Sequence, residues 1–310
     1  MLKRIVEISQ ARTYLSVRLG QLIIRHADQA GKPGIRGEQV SQIPCEDIGL
    51  LIVDHVGTTY THSVLLALLE VGAAVILCGA DHLPAGLFLP VAANSVQTAR
   101  LKDQLSAKLP LKKKLWKQII QAKIRHQAAV LGPESSAYNG LLAMARQVRS
   151  GDPENLEAQA AKKYWKCYMS GFDCTRRDPR AAGPPNNMLN YGYMVVRAAV
   201  ARALAGAGLC VSAGIHHHNK YNAFCLADDL VEPFRGYVER NVREIWESPN
   251  GDEDFDDLNQ PVKARLLEVL YEPVVIGGQQ GPLQVQLHRA AASLVKCFAS
   301  ERDRLDLPKP

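Results

Sequence analysis

The sequence predicts an α+β fold, with a small N-terminal β-rich domain over residues 1–90 followed by a larger all-α C-terminal domain over residues 96–310. Three observations carry this reading. Short alternating or apolar runs bounded by Gly and Asp fill the first part of the chain. Apolar residues recur at helical spacing from about residue 95 onward. Between the two, "ADHLPAGLFLPVAAN" holds two prolines and a glycine and reads as a linker.

In chain order, "KRIVEIS" and "TYLSVRL" alternate as half-buried strands do, and "LGQLIIRH" suits a hairpin partner. "DIGLLIVD" and "AAVILCG" are short apolar runs typical of buried strands. Between them "THSVLLALLEVGA" reads as one helix, capped by Thr or Ser and stopped at Gly72. Helices follow at "SVQTARLKDQLSAKL", "LKKKLWKQIIQAKIRHQAAVL", "SAYNGLLAMARQVR", "PENLEAQAAKKYWKCYM" and "NNMLNYGYMVVRAAVARALAGAG". Further helices are expected at "LVEPFRGYVERNVREIWE", "PVKARLLEVLY" and "GPLQVQLHRAAASLVKCFASERD", with the acidic "ESPNGDEDFDDLN" as a mobile loop.

The 310 residues are 47% hydrophobic and 22% charged, enough for a sizeable core. No apolar run reaches the roughly 18 to 20 residues of a membrane span, so no membrane partner is expected. The start, "MLKRIVEISQ", lacks a signal-peptide pattern, and the seven scattered cysteines form no C-x-x-C pair. Both features suit a cytoplasmic protein with reduced thiols. Net charge is +6, but nine Lys or Arg against one Asp between Arg100 and Arg125 sum to +8. The remainder is therefore −2, and one segment carries the whole basic excess. Such asymmetry points to a polyanion, most simply nucleic acid.

Three pieces could carry chemistry. Asp152 is a good N-cap, Pro153 fits a first turn, and Glu154 and Glu157 complement the helix dipole. Glu157 also shares a face with Ala160, Ala161 and Tyr164, which would turn it inward, where a carboxylate wants a cation. In "LADDLVEPFRGYV", Leu226, Leu230, Phe234 and Val238 form a core stripe, and Asp229 and Glu232 stand one helical step apart. The third piece is the run His216, His217, His218, of which only one or two can face a single site. Solvated charge is the plain reading of each piece. Together, imidazole and carboxylates suit Mn²⁺ or Mg²⁺, whereas zinc would call for further His or Cys at tight spacing.

In order and separation, "NLEAQAAKKYW", "NNMLNYGYMVVR" and "GIHHHNKYNAFCLADDLVEPFR" resemble the CRISPR-associated spacer-acquisition integrase and endonuclease, the first-numbered of the Cas proteins. The resemblance is greatest to the type II variant found beside the single-protein RNA-guided effector nuclease. It implies catalytic and metal-binding roles for Glu157, His217 and Glu232, with Asp229 as the accessory acid behind them and Mg²⁺ or Mn²⁺ as cofactor. A basic side chain is more usual in the family at His218. The implied reaction is attack by the 3′-hydroxyl of a short DNA fragment on a phosphodiester of the CRISPR repeat array. The implied partners are double-stranded DNA with single-stranded 3′ ends, CRISPR repeat DNA and a second copy of the chain. The small ferredoxin-like second-numbered Cas protein would complete a heterohexamer, with dimerisation and partner docking on residues 1–90.

Lys112, Lys113, Lys114, Lys117 and Lys123, with Arg176, Arg177 and Arg180 of "TRRDPR", are the candidate DNA-backbone contacts. Tyr164, the "NYGY" segment and Arg197 are read as supporting groups. Two other readings compete: a DNA-binding scaffold with a structural ion and no catalysis, and a metallohydrolase of small phosphoesters.

Overall fold

A computed structural model describes residues 2–26, 40–80, 82, 84–91, 94–172, 174, 176–181, 183–251 and 253–310. The chain forms two compact units, Met1–Ala93 and Asn94–Pro310. The predicted linker spans the boundary; its residues 81, 83, 92 and 93 lie outside the described residues.

The first unit holds two four-stranded sheets. β1 (Arg4–Ile8), β2 (Thr13–Arg18), β3 (Gln21–His26), β4 (Val40–Pro44), β5 (Ile48–Val53) and β6 (Thr59–Tyr60) precede helix α1 (His62–Glu70), and β7 (Ala74–Cys78) and β8 (Pro84–Phe88) follow it. One sheet runs β1-β5-β7-β8, parallel except for β8; the other runs β4-β3-β2-β6. The β2–β3 hairpin pairs Arg18 with Gln21, so Leu19 and Gly20 form a two-residue turn. Both take positive φ, 51° and 72°, the twist a tight hairpin demands. Val6, Ile8, Leu15, Leu22, Leu51, Val53 and Val75 pack with Val64 and Leu68 of α1 into one core. Strand β8 falls inside the stretch expected to be a linker; its register with β7 turns that segment into a sheet edge.

The second unit comprises α2 (Gln97–Ser106), α3 (Leu109–Leu131), α4 (Tyr138–Gln147), α5 (Leu156–Met169), α6 (Asn186–Gly206), α7 (Cys225–Val231), α8 (Arg235–Glu247), α9 (Gln260–Leu267), strands β9 (Pro273–Ile276) and β10 (Gln279–Pro282), and α10 (Leu283–Phe298). The hairpin corrects the all-α expectation. Gly277 and Gly278, both at positive φ, reverse a short strand-forming run that is too brief to announce itself by periodicity. The long helix α3 organises the unit, packing against α4, α5, α7, α8 and the turn that joins α7 to α8. Its buried face carries Leu115, Trp116, Ile119, Ile120 and Ile124. The single helix expected over residues 230–247 is two helices joined by a 3₁₀ turn at Glu232–Phe234, since Pro233 cannot donate to the α ladder. Leu226, Leu230, Phe234 and Val238 are buried nonetheless. The acidic loop expected to be mobile is anchored by Glu253, which accepts from Arg265 at 2.9 Å through both oxygens. All seven cysteines are free thiols, and no helix among the described residues is long and apolar enough to cross a membrane.

Candidate active site

Helix α5 starts later than expected, after Asn155 in the left-handed region. Asp152 still caps it from outside, accepting at 2.9 Å from the amides of both Leu156 and Glu157. Two of the orphan donors are thereby satisfied, and Glu157 is fixed in the first turn. Glu232, from the 3₁₀ turn after α7, reaches the same point. The ammonium of Lys123, on α3, stands 2.6 Å from Glu157 Oε1 and 2.6 Å from Glu232 Oε2. The second oxygen of Glu232 pairs with Arg235 at 3.1 Å. Burial pushes the Glu232 carboxyl up, but Lys123 and then Arg235 outweigh it and hold the group at about 2. Lys123 is likewise driven down by burial and raised, on balance, by Glu232 and Glu157. Although Lys123 is so close, Glu232 Oε2 accepts no hydrogen bond of acceptable direction and is buried from solvent. The contact is one of charge, with a lone pair left over.

His217 is aimed by a different acid. Asp229 is 0% exposed and accepts from the amides of Ile215, His216 and His217 at 2.5, 3.0 and 3.1 Å. It also takes the His217 Nδ1 contact at 2.7 Å. With the proton on Nδ1, Nε2 is left as an acceptor. The hydrogen bond to Asp229 raises the His217 pKa against the opposing effect of burial. Gly214 is required here, because a Cβ would collide with the His217 carbonyl oxygen and crowd Asp229 Oδ2. His216 is withdrawn from the site: its ring stacks on Trp116 with centroids 4.1 Å apart and planes within 3°. His218 is turned to its own loop, its Nδ1 2.7 Å from the His216 carbonyl. Asp228, the remaining acid of the cluster, is held by Arg197 and Asn222.

His217 and Glu232 line one cleft of about 280 Å³, with Tyr193, Arg197, Asp228 and Arg235 on its walls. Among the described residues no three His, Cys, Asp or Glu side chains are gathered tightly enough to hold an ion, and Lys123 occupies the meeting point of the two glutamates. The donor set still suits a hard divalent cation: two carboxylate oxygens converge from α5 and from the turn after α7, one of them lacks a hydrogen bond, and an oriented imidazole opens on the cleft that Glu232 also lines.

Several important residues escape the sequence reading. Lys123, grouped there with a DNA-facing surface, is instead buried between the acids. Glu239 was not singled out, yet it accepts from the hydroxyls of Tyr164 and Tyr193, both at 2.6 Å. Arg235 bridges the two groups, paired with Glu232 and lying 4.2 Å over the Tyr193 ring. Of the other basic candidates, Lys113, Lys114, Arg176 and Arg180 are exposed, and Lys112 and Lys117 are half-buried. Lys114 pairs with Asp303. Arg177 turns inward, donating to Asn186 at 2.9 Å and to Asn190 at 2.5 Å.

Residues 6–268 match the family described as CRISPR associated protein Cas1. The CRISPR-associated endonuclease Cas1 of Neisseria meningitidis serogroup C is 38% identical over 239 residues, 76% of this chain and 76% of that protein. A Cas1 endonuclease of Pyrobaculum aerophilum is 26% identical over 255 residues, 79% of this chain and 85% of that protein. Among solved structures, a casposase bound to integration product aligns with TM-score 0.80 at 20% identity, covering 98% of this chain and 92% of that one. A Cas1 protein from Thermotoga maritima aligns with TM-score 0.71 at 16% identity, over 96% and 97%. A chain of a Cas6-RT-Cas1–Cas2 complex aligns with TM-score 0.74 at 18% identity, over 97% of this chain and 35% of that one. These structures share its fold, and the extent of the family match decides membership: the chain belongs to the CRISPR-associated Cas1 family.

Proposed function

We propose that this protein is a divalent-metal-dependent DNA integrase and endonuclease that inserts short DNA fragments into a CRISPR array. The observation that carries this reading is the convergence of Glu157 and Glu232 on one cation position beside a cleft that His217 also lines. Glu157, Glu232 and the Nε2 of His217 would hold Mg²⁺ or Mn²⁺. Such an ion polarises a phosphoryl oxygen and stabilises charge on the attacking and leaving oxygens. Asp229 fixes the tautomer and direction of His217, while Arg235 neutralises charge next to the reacting phosphate.

The 3′-hydroxyl oxygen of the incoming strand forms a new bond to phosphorus and loses its proton. The bond from phosphorus to the 3′-oxygen of the target strand breaks, and that oxygen leaves as a new 3′-hydroxyl. No enzyme-linked intermediate is needed. Water in place of the incoming hydroxyl would give hydrolysis, which is the endonuclease reaction. The DNA would be a duplex with single-stranded 3′ ends, held by the exposed cations of α3 and by Arg176. A second copy of the chain, and a Cas2 protein such as the one named in the aligned complex, would complete the assembly through the first unit.

A strand-transfer assay on branched DNA in Mn²⁺ tests the reading. Glu157→Ala, Glu232→Ala and His217→Ala should each lower transfer by about a thousand-fold or more while the fold is retained. His216→Ala should be milder. Near-wild-type transfer by two of the three main variants would overturn the assignment.

A further inference from the structure

Lys123 is the one charged side chain on the buried face of α3 that is shared by two acids from other elements. Ile119, Ile120, Ile124 and Gln127 surround it along the helix, all buried, so its stem has no route to water along that face. Its ammonium is 2.6 Å from an oxygen of each glutamate, and Arg235 takes the remaining oxygen of Glu232. Without Lys123, two carboxylates would face one point with a single counter-ion on the far side of one of them. Like charges so placed repel unless a cation bridges them.

A small divalent ion such as Mg²⁺, which takes carboxylate oxygens at about 2.0 to 2.1 Å, would need the same two oxygens that Lys123 holds. Lys123 cannot share that position: an ion bound to both oxygens would press against its ammonium, and the low-dielectric surroundings would magnify their repulsion. The two cations are alternatives. Resting on the metal reading above, we propose that Lys123 is a built-in counter-ion of the two glutamates, which holds Glu157 and Glu232 together when no divalent ion is bound and must withdraw when one binds. Cation affinity in this protein is then set by competition with one of its own side chains. The residue is a positioning group rather than a catalytic one.

The test is calorimetric titration of Mn²⁺ into the full-length wild type, Lys123→Met and Glu157→Ala. Methionine keeps the length and apolar stem and removes the charge. Lys123→Met should bind Mn²⁺ on the order of 10-fold or more tightly than wild type, because no side chain has to be displaced. Its metal-free melting temperature should fall, and Mn²⁺ should restore more of it than Mn²⁺ adds to wild type. Equal or weaker Mn²⁺ binding by Lys123→Met, with binding still dependent on Glu157, would overturn the role of Lys123 and leave the metal site standing. Loss of any Glu157-dependent binding in both wild type and Lys123→Met would overturn both. Should Lys123→Met not fold, ¹⁵N-lysine spectra of wild type give the same answer. A solvent-protected ammonium signal that disappears on adding Mg²⁺ supports the exchange, and one that persists at saturation refutes it.

Discussion

Glu232 and Glu239 lie seven residues apart, at 6% and 1% exposure, and are held by opposite means. Glu239 accepts hydrogen bonds of 2.6 Å from two tyrosine hydroxyls, one on each oxygen, while its main-chain carbonyl takes a third from Tyr168 at 2.7 Å. Glu232 is held by two cations: Arg235 donates to its Oε1 at 3.1 Å, and Lys123 stands 2.6 Å from Oε2, which accepts no well-directed bond. The first arrangement is closed: both carboxylate oxygens have directed partners, and nothing invites a ligand. The second leaves a lone pair on an acid whose counter-ion sits at the end of a flexible stem. Buried acids of the first kind hold a fold together, and those of the second kind are available for chemistry.

Mutation should separate the two. Glu239→Ala leaves the Tyr164 and Tyr193 hydroxyls without their acceptor in a packed core, and should cost about 3 kcal/mol of stability or more. Glu232→Ala also breaks a buried ion pair and should cost stability, but it should abolish strand transfer even in the molecules that remain folded, whereas Glu239→Ala should lower transfer only as far as it unfolds the protein. Strand transfer per folded molecule, with urea unfolding of both variants as the control, measures the contrast, and equal losses of transfer per folded molecule would erase the distinction between the sites. Next in size is Asp229→Asn. An amide can still accept from backbone amides through its oxygen, but its nitrogen cannot accept, so His217 loses part of its support. Strand transfer should drop by about 10- to 100-fold, with a weakened dependence on Mn²⁺. A loss as complete as that of Glu232→Ala would make Asp229 a direct ligand.

Part of the site was legible before the structure, and the illegible part has a physical cause. Glu157 stands out because it shares a helical face with Ala160, Ala161 and Tyr164, which is where an acid needs a partner, whereas Glu232, one helical step from Asp229, takes its role from the family resemblance. The strands β1, β2, β3, β5 and β7 follow from their alternation or apolar runs, whereas β9 and β10 are four residues each and too short for a period. Lys123 was hidden by its neighbours, as one cation among nine in a basic segment. The signal was nevertheless present: it is three and four residues from Ile120 and Ile119, on the apolar side of α3. Nothing in the sequence singles out Glu239, and only the tertiary approach of Tyr164 and Tyr193 shows its role. Asp152 caps α5 as expected, although the helix begins after Asn155, because its side chain reaches forward past the intervening turn.

A smaller effect appears with pH. In the metal-free protein the Glu232 carboxyl is held at about 2, below its ordinary value of 4.5. A depressed carboxylate contributes stability that is fully present above the unfolded value and is lost as pH falls through the folded one. Wild type should therefore lose stability between about pH 4.5 and 2 that Glu232→Gln does not lose, as read by urea unfolding at each pH. Parallel pH profiles for the two proteins would remove the charge-held character of the site. The smallest effect concerns DNA. Changing Lys113 and Lys117 to Gln should flatten the slope of log affinity against log salt by about one to two units, similarly for unrelated duplexes. Equal slopes would return these lysines to ordinary solvated positions. Arg177→Gln should act mainly on stability, since its guanidinium already serves Asn186 and Asn190.

The most direct test of the central claim is a crystal of the full chain soaked in Mn²⁺ and measured at an energy where manganese scatters anomalously. The expected result is one anomalous peak per chain, bonded to Glu157, Glu232 and the Nε2 of His217, with the Lys123 ammonium moved off the two glutamates. A saturating soak that leaves Lys123 between Glu157 and Glu232, with no anomalous peak in the cleft, would contradict it.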